Sequence, residues 1–216
     1  MKKIILAGFG YLGKFIEQQA DFNEKKVLYK LSRNPGKHRN GFGNHVEVDF
    51  DKEKFDITEI VGESTIIYMT PPNKDRDGDP RLENFLNNIK NSNLERIVYI
   101  STSGVYGDCG GLSVTEDAEL KPLTDRAKKR VIAEKMVMKH SAVCNTNYVI
   151  LRVPGIYGLG RLPLSKVRER EPLIIKDECK ITNLINVEDL ARIVWRVIKD
   201  KIKNEIINRA AQIIIL

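Results

Sequence analysis

The chain has 216 residues, 42% of them hydrophobic and 30% charged, and 36 basic against 29 acidic side chains give a formal net charge of +7. That length suits one α/β domain with at most a small appendage, and that composition buries an ordinary core, which excludes a wholly disordered chain. No apolar run reaches the roughly 18 residues of a membrane span.

The first element is the most informative. Ile4-Ile5-Leu6-Ala7 reads as a buried strand that runs into Gly8-Phe9-Gly10-Tyr11-Leu12-Gly13 and then into a helix from Tyr11 to about Ala20. A G-x-G-x-x-G turn between a strand and a helix is the arrangement that a dinucleotide pyrophosphate needs. Gly8 permits the tight turn, Gly10 lets the backbone approach the phosphates, and Gly13 lets the helix pack closely on the strand. The helix start presents free N–H groups and a positive dipole end to the anion. Gly8, Phe9, Gly10, Tyr11, Leu12 and Gly13 are therefore expected to bind the cofactor.

Val27 to Leu31 predicts a second strand, ending in Leu31-Ser32-Arg33-Asn34-Pro35. NAD sites usually carry an acidic residue here, about 20 residues past the glycines. Ser32 and Arg33, with Lys37 adding charge, suit a 2′-phosphate instead, because guanidinium and phosphate pair as a fork. The expectation is NADP in preference to NAD, with an ordinary surface turn as the alternative reading.

Val46-Glu47-Val48 is a short third strand, and Thr65 to Met69 a fourth, stopped by Pro71-Pro72. Leu82, Phe85, Leu86 and Ile89 recur at helical spacing. Arg96 to Ile100 is a fifth strand, followed by a long loop from Ser101 to about Thr124. Val131, Ile132, Lys135, Met136 and Val137 are read as one face of the next helix, and Tyr148 to Leu151 as a sixth strand. Strands alternating with helices imply parallel pairing in a doubly wound α/β sheet, a Rossmann fold, with its ligand at the carboxyl ends of the strands.

Past Arg152 the rhythm changes. Residues 154–160 read as a loop rich in turn formers, Leu164 to Arg170 as a short helix, Asn186 to Asp189 as a helix start, and Glu205 to Asn208 as a last strand. Trp195 is expected in the core. Cys109, Cys144 and Cys179 make neither a CxxC pair nor a disulfide framework, and His38, His45 and His140 have no metal-ligand spacing. Met1-Lys2-Lys3 leads into an apolar stretch too short for a secretory signal. A reduced, cytoplasmic, metal-free protein is the expectation. The basic residues are scattered, and the densest cluster, Arg126 to Arg130, opens a helix with no nucleic-acid motif beside it, so neither nucleic acid nor membrane is expected as a partner.

Four stretches together resemble the extended short-chain dehydrogenase/reductase superfamily, in its NAD-dependent epimerase/dehydratase branch. They are the glycine turn, Tyr99 to Gly107, Pro122 to Glu134, and Leu151 to Arg161. The resemblance implies a single NAD(P)-binding domain over 1–216, with about 154–190 supplying a small substrate lobe. It implies that Asp49 and Phe50 contact adenine, that Thr70 and Pro71 pass the nicotinamide ribose, and that Pro154, Gly155 and Ile156 face the nicotinamide. Ser101 and Arg130 join the cofactor set; Ser103 and Arg161 are placed with the substrate, Arg161 as an anion holder or a solvated cap charge.

The glycine spacing is tighter than the typical G-x-x-G-x-x-G, and the larger departure is catalytic. The Tyr and Lys of the family align with Arg126 and Arg130, and arginine stays protonated and cannot act as the acid/base. Thr102 aligns with the hydroxyl that orients the substrate oxygen; Tyr106 and Tyr157, in nearby loops of the family pattern, are candidates for the proton transfer, with a structural role as the alternative for each. The implied activity is hydride transfer at a hydroxyl or carbonyl carbon of a sugar nucleotide or other anionic metabolite, by a reductase, epimerase or dehydratase. The alternative is a cofactor-binding sensor or scaffold that has lost catalysis. The chain also looks short at its C-terminus, implying a reduced substrate lobe or an apolar tail covered by another subunit. Met136, Val137 and Met138 would enrich a homodimer surface or belong to the core.

Overall fold

The apolar runs Ile4 to Ala7, Ile66 to Tyr68 and Ile97 to Ile100 have no polar face to give to water and are buried on both sides of a sheet. The computed structural model describes residues 2–34, 36, 42–162, 168 and 183–208, and the backbone of 211–212. The strands are β1 (Lys3–Ala7), β2 (Leu28–Ser32), β3 (Asn44–Glu47), β4 (Ser64–Tyr68), β5 (Arg96–Thr102), β6 (Asn147–Val153), β7 (Gly155–Tyr157), β8 (Asn183–Asn186), β9 (Glu205–Asn208) and β10 (Ala211–Gln212). The helices are α1 (Tyr11–Gln19), α2 (Phe22–Lys26), α3 (Thr58–Val61), α4 (Pro80–Asn88), α5 (Asp125–Cys144) and α6 (Val187–Lys199).

Seven strands form one parallel sheet in the order β3-β2-β1-β4-β5-β6-β9. This is the doubly wound α/β arrangement of a Rossmann-like fold, and its order reverses between β1 and β4. Ala7 lies beside Leu31 on one side and Tyr68 on the other, so the turn after β1 opens at the switch point.

Alternation along each strand feeds two cores. Ile4 and Leu6 join Val98, Ile100 and Leu151 under α1 and α6. Ile5 and Ala7 join Ile66, Tyr68, Ile97, Tyr99 and Ile150 under α4 and α5. Trp195 is in the first core, as expected, and its indole N–H donates to the Ile16 carbonyl at 2.9 Å.

Two local readings change. The helix α5 does not bury the stripe expected of it: Ile132 is exposed, and the buried face carries Ala127, Arg130, Ala133, Glu134, Val137 and Ser141. Buried charges replace apolar side chains there, Arg130 held by the Tyr99 hydroxyl and Glu134 by Arg152 of β6, which defeats a reading by hydrophobic period. Val137 is fully buried, and Met136 and Met138 pack against the second core, so the core alternative holds for these three. Residues 154–160 are not all loop. Pro154 ends the main ladder, and β7 then pairs in parallel with β8, which pairs antiparallel with β10, in a separate three-stranded sheet. The helix expected over 164–170 lies, apart from Arg168, outside the described residues, as do Cys179 and Lys37.

Candidate functional site

The glycine turn is built by three different constraints. The amides of Gly8 and Phe9 both donate to the Leu31 carbonyl, at 3.1 and 2.9 Å, which carries the chain across the end of β2. Gly8 has φ +85°, and a Cβ there would lie 2.1 Å from Thr70 Oγ1, so both the left-handed backbone and the approach of Thr70, just past β4, require glycine. A Cβ on Gly10 would meet nothing closer than the Gly8 carbonyl at 3.8 Å; that side of the turn faces the open crevice. Gly13 makes room for the ring of Phe9, which would be 2.8 Å from a Cβ, rather than for the strand itself. No side chain caps α1 and its first turn holds no acidic residue, so its leading amides are left for an anionic ligand. These features fit a dinucleotide diphosphate.

On one side of the turn lies a cavity of about 250 Å³ at the ends of β2, β3 and β4. Phe9, Ser32, Arg33, Asp49, Phe50 and Thr70 all line it, as do Asp51 and Arg81, which sequence reasoning did not single out. The Phe50 ring belongs to an aromatic cluster with Phe55, Tyr68 and Phe85. The Ser32 hydroxyl is within 2.9 Å of His45 Nε2. Arg81 grips Asp51 side-on, Nε to Oδ1 and Nη2 to Oδ2, both at 2.8 Å. Those hydrogen bonds hold the Asp51 carboxyl below the ordinary carboxylate range.

On the other side the crevice widens to about 710 Å³. Gly8, Gly10, Tyr11, Leu12, Gly13, Pro71, Pro154, Gly155 and Ile156 line it together with Ser101, Thr102, Ser103, Arg126, Arg130 and Arg161. The β5 strand delivers Ser101 and Thr102 at its carboxyl end, as a parallel sheet does with ligand-facing residues. Thr124 caps α5, its hydroxyl accepting from the Ala127 amide, and sets Arg126 and Arg130 along the first turns. Arg126 and Arg161 are exposed to the cleft; Arg130 is buried behind it. Arg130 Nη1 donates to the Tyr99 hydroxyl at 2.8 Å, and burial pushes that phenol up to about 12 despite the cation beside it.

Beneath this floor runs a buried network. The Ser101 hydroxyl donates to Glu134, and Arg152 binds both oxygens of Glu134, Nη2 at 2.8 Å. Arg152 also donates to the Tyr106 hydroxyl at 2.7 Å, which donates to Asn208 Oδ1 at 2.7 Å. Tyr106 is thus locked in the interior and lies outside the cleft lining, and Tyr157, half-buried in β7, is not part of that lining either. The other sequence-derived site residues come together along the crevice. Among the described residues no cluster of His, Cys, Asp and Glu could hold a metal ion, and no helix is long and apolar enough to cross a membrane.

Known structures are similar to this chain over nearly its whole length. UDP-glucuronic acid 4-epimerase from Bacillus cereus, in complex with UDP-glucuronic acid and NAD, is 19% identical with a TM-score of 0.81, over 98% of this chain and 78% of that one. MoeE5 in complex with UDP-glucose and NAD is 17% identical with a TM-score of 0.77, over 97% and 76%. UDP-N-acetylglucosamine 4-epimerase from Bacillus cereus is 16% identical with a TM-score of 0.73, over 98% and 78%. Identities this low establish a shared fold. No curated protein matches this sequence.

The expectation of NADP over NAD is overturned. The similar epimerase and MoeE5 complexes hold NAD. The residue that motivated the expectation, Arg33, is not an unengaged phosphate receptor: its Nη1 lies 3.4 Å from Asp51 Oδ2, inside the same cavity. The profile of the NAD dependent epimerase/dehydratase family matches residues 82–210, from α4 through the strand β9. The chain belongs to the NAD dependent epimerase/dehydratase family.

Proposed function

We propose that this chain is an NAD-binding enzyme that moves a hydride to or from a hydroxyl- or carbonyl-bearing carbon of an anionic sugar nucleotide or related metabolite. The observation that carries the reading is continuity. The narrow and wide cavities share Gly8 and Pro71, so the glycine turn, the adenosine-side pocket and the arginine-lined end make one groove at the switch point of the sheet.

Gly8 to Gly13 would hold the diphosphate on backbone amides. Ser32, Asp49, Phe50 and Thr70 would surround the adenosine half. Pro71, Ser101, Pro154, Gly155 and Ile156 would bound the nicotinamide end. When bound, NAD supplies a hydride acceptor. Thr102 and Ser103, which line this end, would hydrogen-bond the reacting oxygen of a substrate. Arg126 and Arg161 offer forks to its anionic part, and Arg130 supplies a fixed positive charge from behind. UDP-sugars are the first candidates, because structures with this fold are complexes with them.

One observation favours a second reading, a sensor or scaffold that keeps the cofactor without catalysis. Among the described residues lining the wide end, the only phenol is Tyr11, whose hydroxyl donates to the Leu159 carbonyl at 3.0 Å; the remaining polar side chains are hydroxyls and guanidiniums. None of these has an ordinary acid/base pKa near neutrality.

Calorimetric titration with NAD+, followed by incubation with UDP-sugars monitored through nicotinamide absorbance and NMR of the sugar, separates the readings. Saturable binding with turnover is the expected result. Saturable binding with no turnover on any UDP-sugar, aldehyde or ketone supports the sensor, and no binding at all overturns both.

A further inference from the structure

Discrimination between NAD and NADP usually rests on an acidic residue at the end of the second strand. Here that end carries Ser32 and Arg33, yet the structure brings a carboxylate to the same cavity from a different segment. Asp51, four residues past the end of β3, accepts both arms of Arg81, a hydrogen bond from Asn73 Nδ2 at 3.4 Å, and Arg33 Nη1 at 3.4 Å. Arg81 Nη1 also donates to the Pro71 carbonyl at 3.3 Å, so the fork that fixes Asp51 is itself fixed to the strand end beside the glycine turn.

We propose that Asp51 is the specificity-determining residue that sets this chain's preference for NAD over NADP, by engaging the Arg33 guanidinium and placing a carboxylate beside any phosphate that Arg33 would pair with. This inference rests on the reading of the crevice as an NAD site. Arg81 holds Asp51 in a bidentate grip, the strong geometry for such contacts. Arg33 then adds the single uncompensated positive charge of the trio, with one arm of its fork already turned to Asp51. A 2′-phosphate docking on that fork would bring its charge within a guanidinium's width of the carboxylate, and like charges placed side by side are costly. Without the carboxylate, two guanidiniums would face the cavity uncompensated, an arrangement suited to phosphate.

The test is calorimetric titration of the purified apo protein with NAD+ and with NADP+, in the wild type and in Asp51→Asn. The expected result is a shift of the affinity ratio toward NADP+ of about tenfold or more in Asp51→Asn, carried by a gain in NADP+ affinity. Adding Arg33→Ala to Asp51→Asn should return most of that gain. Arg33→Ala alone, a change at an exposed side chain that does not threaten folding, should move the wild-type ratio by less than about twofold. An unmoved ratio in Asp51→Asn, a shift that survives Arg33→Ala, or a large loss of NADP+ affinity in Arg33→Ala alone would each overturn the inference while leaving the NAD site standing. Binding of neither dinucleotide by the wild type would overturn the NAD reading, and this inference with it.

Discussion

The guanidinium of Arg161 lies over the Tyr11 ring, its central carbon 4.0 Å from the ring centroid. Tyr11 is the first residue of α1, and its hydroxyl donates to the Leu159 carbonyl. The helix that would hold the diphosphate therefore also positions the segment that presents Arg161. The cation–π contact holds the guanidinium beside the cleft, where a fork of N–H donors suits an anion.

Arg161→Ala is accordingly expected to weaken UDP-sugar binding about tenfold and to leave NAD+ binding within about twofold. Titration of NAD-loaded protein at two ionic strengths checks this. The salt dependence of UDP-sugar binding should fall in the variant; an undiminished salt slope would show that Arg161 does not meet the anion.

The two leading glycines should separate stability from binding. Gly8→Ala puts a Cβ against Thr70 at a left-handed φ, and a cost of about 2–4 kcal/mol is expected from backbone strain and overpacking together. Gly10 lies outside the left-handed region, with φ −139°, and has open space where a Cβ would project. Gly10→Ala should change stability by less than about 1 kcal/mol and still reduce NAD+ affinity more than about tenfold. Urea denaturation paired with calorimetry reads both; a Gly10→Ala protein that binds NAD+ normally would move the diphosphate elsewhere.

What the sequence disclosed and what it hid follow from range. The glycine turn, the strands β1, β4, β5 and β6, and the apolar faces of α4 and α6 were legible because strand, turn and helix signals are local. Arg81 and Asp51 are 30 residues apart, and nothing near either marks the other. Arg33 read in isolation pointed to the wrong dinucleotide because its partner, Asp51, stands 18 residues further along the chain. Glu134 and Arg152 are charged residues inside a helix and a strand, where charge reads as surface until the ion pair is seen. Lys30 is the same case: it is buried in β2 because Glu17 of α1 meets its ammonium at 2.9 Å. The β7 strand was hidden by Pro154 before it and Gly155 at its start, which mark turns more strongly than three residues can mark a strand.

The buried pair beneath the cleft floor should be expensive to break from one side. Glu134→Ala would leave Arg152 charged, buried and without its carboxylate, and would free the Ser101 hydroxyl. A loss of about 3–5 kcal/mol is expected, which for a chain of this size lowers the melting temperature by roughly 6–20 °C. Replacing both partners, as Glu134→Met with Arg152→Met, should restore a large part of that loss. A double variant no more stable than Glu134→Ala, by thermal denaturation, would mean that the network contributes through geometry that apolar side chains cannot supply.

Asp79 poses the opposite case, a carboxylate that destabilises where it stands. It caps α4, with Oδ1 accepting from the Leu82 amide at 3.2 Å, while Oδ2 is buried with no hydrogen-bond partner. Burial raises its pKa above the ordinary value of 3.8, and the cap hydrogen bond and Arg130 offset only part of that. A carboxyl with a raised folded pKa holds its proton longer in the native state than in the unfolded chain. Between 3.8 and the folded pKa the native state therefore binds more protons, and stability falls as pH rises through that window. Asp79→Asn keeps an oxygen for the cap and removes the buried charge. Its stability relative to the wild type should increase as pH rises above about 4 and then level off, with no advantage at lower pH, where Asp79 is already neutral in both states. Urea denaturation across a pH series measures the difference directly. A gap that is flat with pH, or that opens toward acid, would mean that Asp79 is ionised in the native protein and held by partners stronger than its surroundings suggest.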